Sequence, residues 1–120
     1  MSVSTDYLAY VREQLAVLGP ILTRRMFGGI GIYHDEQFFA LIDDDELYFK
    51  VDDDTRPRFV AAGMGPFQPF GDERAMNGYY RVPPEVLEDA DELRPWARAA
   101  VEVARRAKLG KASRKKPAAG

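Results

Sequence analysis

The 120-residue chain has no cysteine, a single histidine and a single tryptophan. Without cysteine there is no disulfide, no thiolate metal site and no thiol nucleophile. Its only serines are Ser2, Ser4 and Ser113, all close to a terminus, so the sequence offers no Ser–His pair for acyl transfer. No window approaches the roughly 18 consecutive apolar residues of a membrane span. The N-terminus MSVSTDYLAYVRE lacks the basic and apolar regions of a secretory signal. These gaps lead to the expectation of a soluble, cytoplasmic protein that is not an enzyme, with no cofactor, no metal and no membrane partner. The 46% hydrophobic share is ample for a packed core in one domain.

Charge is present in quantity but unevenly placed. Residues 1–104 hold 10 basic and all 19 acidic side chains, a net −9, whereas residues 105–120 hold seven basic side chains and no acid. Arg105, Arg106 and Lys108 fall in the last turn of a predicted helix, where the dipole favours cations. Lys111, Arg114, Lys115 and Lys116 remain as a basic arm, the candidate contacts for a nucleic acid. Residues 109–120 are small, basic and proline-containing, and are expected to be a disordered tail behind a domain at 1–108.

Spacing predicts the elements. Leu8, Val11, Leu15 and Leu18 make one apolar stripe on a helix from about residue 4 to 18, ended by Gly19 and Pro20. Thr23–Phe27, Gly28–Tyr33, Gln37–Ile42 and Leu47–Val51 are strand-like and joined by short turns, as in an antiparallel meander. A helix over 54–62 follows, capped by Asp53 or Asp54, then a short edge strand at Phe67–Phe70 and a strand at Met76–Val82. Pro83-Pro84 opens a helical turn, and a last helix spans 91–108 with Trp96 on its apolar stripe and Gly110 as its stop. The fold class is α+β, a compact sandwich of an antiparallel sheet with helices packed on it, in the order α-β-β-β-α-β-β-α.

Few residues suggest chemistry. His34 lies in a predicted turn beside Asp35 and Glu36 and is expected to be solvent-exposed. Asp43–Glu46 and Asp52–Asp54 fail the calcium-loop pattern, since Leu47 stands two positions after Asp45 and no glycine occupies the required turn. They suit solvated turns and helix caps. Gly28-Gly29-Ile30-Gly31 leads into a strand, not into the helix that a dinucleotide fingerprint requires. A bent strand closely approached by another group fits those glycines better. Arg24 and Arg25 point to opposite faces, and at least one of them is expected in a structural ion pair. Tyr79-Tyr80-Arg81 has the composition of a base-stacking platform, but the acidic body opposes phosphate, so half core and half sheet surface is expected.

Thr23-Arg24-Arg25-Met26-Phe27-Gly28-Gly29-Ile30-Gly31-Ile32-Tyr33 strongly resembles the signature of the TfoX/Sxy N-terminal domain family. The likeness continues through Phe39–Ile42, Leu47–Val51, Phe59–Gly63, Tyr79–Pro83 and Trp96-Ala97-Arg98, in order over about residues 5–107. The resemblance implies a compact α+β sandwich in a stand-alone single-domain member. It also implies kinship with regulators of natural competence, which look like transcriptional coactivators. The expected function is thus a regulatory or protein-interaction domain. Arg24, Arg25, Met26, Phe27, Gly28 and Gly29 are its candidate interaction residues, and its partner is a protein such as part of the transcription machinery. The alternative is a nucleic-acid-binding accessory protein that uses the basic arm. Edge strands near Phe67–Phe70 or Arg24 also lead to the expectation of a two-fold homodimer.

Overall fold

Ser4 starts the first helix: its hydroxyl accepts the N–H of Tyr7 at 3.1 Å, while Asp45 accepts the N–H of Ser4 at 2.7 Å. In the computed structural model, which describes residues 3–26, 28–68 and 76–115, this helix α1 spans Thr5–Leu15 and a 3-10 turn continues it over Ala16–Leu18. Gly19, with φ +109°, turns the chain out of the helix.

Four strands follow: β1 (Leu22–Met26), β2 (Gly29–His34), β3 (Gln37–Asp43) and β4 (Glu46–Lys50). The structure thus makes separate strands of Leu22–Met26 and Gly29–His34, and places four strands, where the expected order has three, before the second helix. Asp35-Glu36 and Asp44-Asp45 both adopt positive φ, which matches the twist of two-residue hairpin turns without any glycine. Helix α2 spans Arg56–Ala61, with Pro57 in its first turn. The N-cap position is Thr55, without a side-chain cap bond, and not Asp53 or Asp54. Asp52 closes the turn ahead of the helix, accepting the N–H groups of Asp54 at 3.1 Å and Thr55 at 3.0 Å. Strands β5 (Pro66–Phe67) and β6 (Met76–Arg81) precede the short α3 (Pro84–Leu87) and the long α4 (Ala90–Lys115).

Helix α4 runs through Gly110, where the sequence places a stop. A glycine inside a helix costs only about 1 kcal/mol relative to alanine and does not by itself end it. Gly110 is not among the positive-φ glycines, so it makes no helix-ending turn. Of the edge strand expected at Phe67–Phe70, only Phe67 lies in β5, while Pro69 and Phe70 fall outside the described residues.

The six strands form one antiparallel sheet in the order β1-β2-β3-β4-β6-β5. One face carries Ile30, Ile32, Ile42, Leu47, Phe49, Val51 and Tyr80, which pack against Val11 and Leu15 of α1, Phe59 of α2 and Leu93, Ala97 and Ala100 of α4. This two-layer arrangement is the expected α+β sandwich. Trp96 lies against that core, edge-on to Phe59 with ring centroids 4.9 Å apart. Tyr48 and Tyr79 are also buried, at 9% and 8% exposure, yet stand outside that core because they belong to the opposite face of the sheet. There Phe67 packs on Tyr48 at 4.9 Å, and Phe38 bridges Tyr33 at 5.1 Å and Tyr79 at 5.9 Å.

Candidate functional site

β1 is an edge strand, paired through Leu22–Met26 with Tyr33–Gly29 of β2 and with no strand on its other side among the described residues. Alternate residues of such a strand turn their N–H and C=O groups outwards. Two contacts fix its start. His34 Nδ1 lies 2.7 Å from the Pro20 carbonyl oxygen, and Arg12 of α1 donates to the Thr23 hydroxyl at 3.0 Å. His34 is thus a pin between the start of β1 and the end of β2, with a side chain only 14% exposed, in place of the free turn residue expected from sequence.

The register places Leu22, Arg24 and Met26 on the open face and Thr23 and Arg25 on the helix face. The Arg24 guanidinium lies 5.8 Å from the centre of the Tyr33 ring, a cation–π contact. Neither Arg24 nor Arg25 forms the ion pair expected of at least one of them, and Arg12 forms none either, among the described residues. Of the acids near β1, Asp35 faces His34 Nε2 at 3.4 Å, and Asp35 and Glu36 line the same cleft as Arg24. Four other arginines have carboxylate partners, Arg56 with Asp53 at 2.8 Å, Arg81 with Glu46 at 3.4 Å, Arg106 with Asp52 at 3.4 Å and Arg105 with Glu102, whereas Arg58, Arg94 and Arg98 have none among the described residues. The β1 edge thus gathers three arginines, Arg12, Arg24 and Arg25, that have no carboxylate partner among the described residues.

The remaining motif residues serve geometry. Gly28 takes φ +80° in the turn between β1 and β2. A Cβ on Gly29 would stand 2.3 Å from the Ile42 carbonyl oxygen, and one on Gly31 would stand 2.5 Å from Met26 Cε and 3.1 Å from Phe38 Cε1. The close approach that the glycine pattern predicts is thus made by the β3 backbone and the Met26 side chain. Phe27 lies outside the described residues. Beside Leu22, which is 54% exposed, a cleft of about 460 Å³ is lined by Pro20, Ile21, Leu22, Arg24 and Tyr33 together with Asp35 and Glu36.

The other candidates fare differently. Tyr79 and Tyr80 are both 8% exposed, and the Lys50 ammonium lies 4.8 Å over the Tyr79 ring, so neither ring is free to stack on a base. Lys111, Arg114 and Lys115 belong to the end of α4, and Lys116 lies outside the described residues. Among the described residues no three His, Asp or Glu side chains are grouped to hold a metal ion, and no helix is long and apolar enough to cross a membrane.

Several groups are shifted away from neutrality. Burial pushes Tyr7 up to about 12 and raises Tyr48 and Tyr79. Asp52 is lowered: desolvation opposes this, but hydrogen bonds from Thr55 and Asp54 and the charge of Arg106 outweigh it. Glu102 is lowered chiefly by its hydrogen bond from Arg105. Acid–base work near pH 7 calls for the reverse, a carboxylate raised or a tyrosine lowered.

Sequence reasoning missed Arg12, Leu22 and Tyr33 as parts of this edge. An apolar residue at an outward strand position, two before an arginine on the same face, was the one signal for Leu22. Arg12 joins only through the fold, from eleven residues away. Compared with known proteins, residues 13–104 match a family model described as the TfoX N-terminal domain. No curated protein matches the chain.

Proposed function

The chain belongs to the TfoX N-terminal domain family, and on that premise we propose that it is a non-enzymatic regulatory domain that works by binding another protein in the cytoplasm. The observation that carries this reading is the β1 edge, where Arg24 and Arg25 are exposed and have no carboxylate partner among the described residues, in a body of net charge −9. The family is not a known enzyme family, and the shifted titratable groups sit far from neutrality, which supports the same reading. A component of the transcription machinery is the partner that kinship with competence regulators favours. The test is affinity capture from cell extract with the native protein and with the double variant R24E/R25E. Capture of a protein by the native chain and its loss from the variant is expected, and an empty native capture would overturn the reading.

A second reading, nucleic-acid binding through Lys111, Arg114, Lys115 and Lys116, has in its favour that these four cations stand together without an intervening acid. It requires affinity for DNA that disappears when residues 109–120 are removed.

A further inference from the structure

We propose that β1 is a docking edge for an extended acidic segment of a partner protein, which adds to the sheet as a seventh strand. The proposal rests on the interaction reading above and names its surface and its partner's chemistry.

Three features converge on this edge. The outer side of β1 has no strand beside it among the described residues, so its outward N–H and C=O groups can pair with another backbone. The strand is held in place before any partner arrives, by the His34–Pro20 contact at 2.7 Å and the Arg12–Thr23 bond at 3.0 Å, which lowers the ordering cost of binding. Arg24 on the open face, with Arg12 and Arg25 on the helix face, then supplies cations on both sides of the incoming strand.

The pairing rules specify the sequence such a segment should carry. Every neighbouring pair in this sheet is antiparallel, and an added antiparallel strand places each residue opposite its partner on the same face. Opposite Met26 and Leu22 it needs apolar residues, the latter filling the cleft formed by Pro20, Ile21 and Tyr33. Opposite Arg25 and Arg24 it needs two consecutive carboxylates. Beyond Leu22 a cation would answer Asp35 and Glu36, which line the same cleft. The resulting core is Val-Glu-Glu-Thr-Leu-Lys.

Other occupants fit less well. A second copy paired antiparallel about Arg24 would set arginine against arginine, and directly opposed like charges destabilise a strand pair. A nucleic acid would meet the arginines, but its sugar–phosphate chain cannot complete the backbone ladder. A long polyanion also feels the whole −9 body, whereas a short segment feels mainly charges within a Debye length of about 8–10 Å.

The probe is a fluorescein-labelled peptide containing Val-Glu-Glu-Thr-Leu-Lys, titrated with the full chain by fluorescence anisotropy at about 50 mM salt. Binding is expected, weakened about tenfold or more by R24E/R25E and to a similar degree by N-methylation of alternate peptide residues, which removes ladder donors. The methylated peptide keeps the test decisive even where the variant fails to fold. No binding by the native chain overturns the proposal, as does equal binding of the methylated peptide. Displacement of the label by oligothymidylate at lower concentration than by unlabelled peptide would assign the edge to nucleic acid. A dimer mass that R24E/R25E reduces to a monomer would assign it to a second copy. If native chain and R24E/R25E capture the same protein from extract, the interaction reading stands and the β1 proposal fails; if the native chain captures nothing, the reading itself fails.

Discussion

Replacing Gly29 by alanine should destabilise the protein by about 2–3 kcal/mol, although Gly29 has no positive φ for the new side chain to strain. The cost arises from β3. The added Cβ would sit 2.3 Å from the Ile42 carbonyl oxygen, and real Cβ atoms essentially never come within 3.0 Å, so the two backbones must separate by about 0.7 Å. Backbone has no rotamer to escape into. The displaced segment carries Ile42, which is fully buried and pairs with Ile30 on one side and Leu47 on the other. Overpacking of a core by this much costs roughly 1–3 kcal/mol, and a weakened ladder bond adds about 1 kcal/mol. The smaller entropy of the unfolded alanine chain returns about 0.4–1 kcal/mol. For a domain of this size the net loss lowers Tm by roughly 8–12 °C. Thermal melts followed by far-UV circular dichroism measure it, with Gly31→Ala as the internal comparison. At Gly31 the obstructing atoms are mainly the Met26 thioether, which can swing away, so that variant should lose only about 1 kcal/mol. A Tm for Gly29→Ala within about 2 °C of the native value, or below it by less than Gly31→Ala, would refute the reasoning.

Other perturbations test other links. Glu36→Gly relieves a left-handed residue at φ +67° in the β2–β3 turn and should stabilise the fold by about 0.5–1 kcal/mol, measured by urea denaturation. Asp52→Asn addresses the turn that leads into α2 and the Arg106 pair. The folded pKa of Asp52 is depressed below 3.8, so its carboxylate contributes stability that is present above the unfolded value and is lost as pH falls through the folded one. The native protein should therefore lose stability below about pH 4 more steeply than the variant, and parallel pH profiles would contradict the assignment. For the nucleic-acid reading, four phosphate contacts predict a slope of log affinity against log salt of about −3.6 on duplex DNA. A slope near zero, or one unchanged by deletion of residues 109–120, would remove that reading.

Much of the fold was legible because local chemistry and tertiary context agree. The spacing of Val11 and Leu15 announces a core-facing stripe, and both are fully buried. Alternation in Leu47-Tyr48-Phe49 separates the two sheet faces, although Tyr48 is buried on the second face by Phe67, a contact that no periodicity encodes. Gly110 misled because a stop needs a left-handed turn, and composition alone does not reveal that conformation. The candidate site was only half visible. Arg24 and Arg25 stand out in sequence, but which carboxylates find a partner, and where, depends on the fold. Asp45 turns to the Ser4 N–H, Asp52 to α2 and Arg106, and Asp35 to His34. His34 looked like an exposed turn residue because its contact, the Pro20 carbonyl, lies on the opposite side of β1 in the chain.

The most direct check on the role given to β1 is hydrogen exchange of the Leu22–Met26 amides with and without the Val-Glu-Glu-Thr-Leu-Lys peptide. The outward-facing amides of β1 should slow on addition of peptide, while the Phe67 amide of the opposite edge, β5, keeps its rate. Unchanged β1 amides, or protection confined to β5 or to the end of α4, would contradict the account.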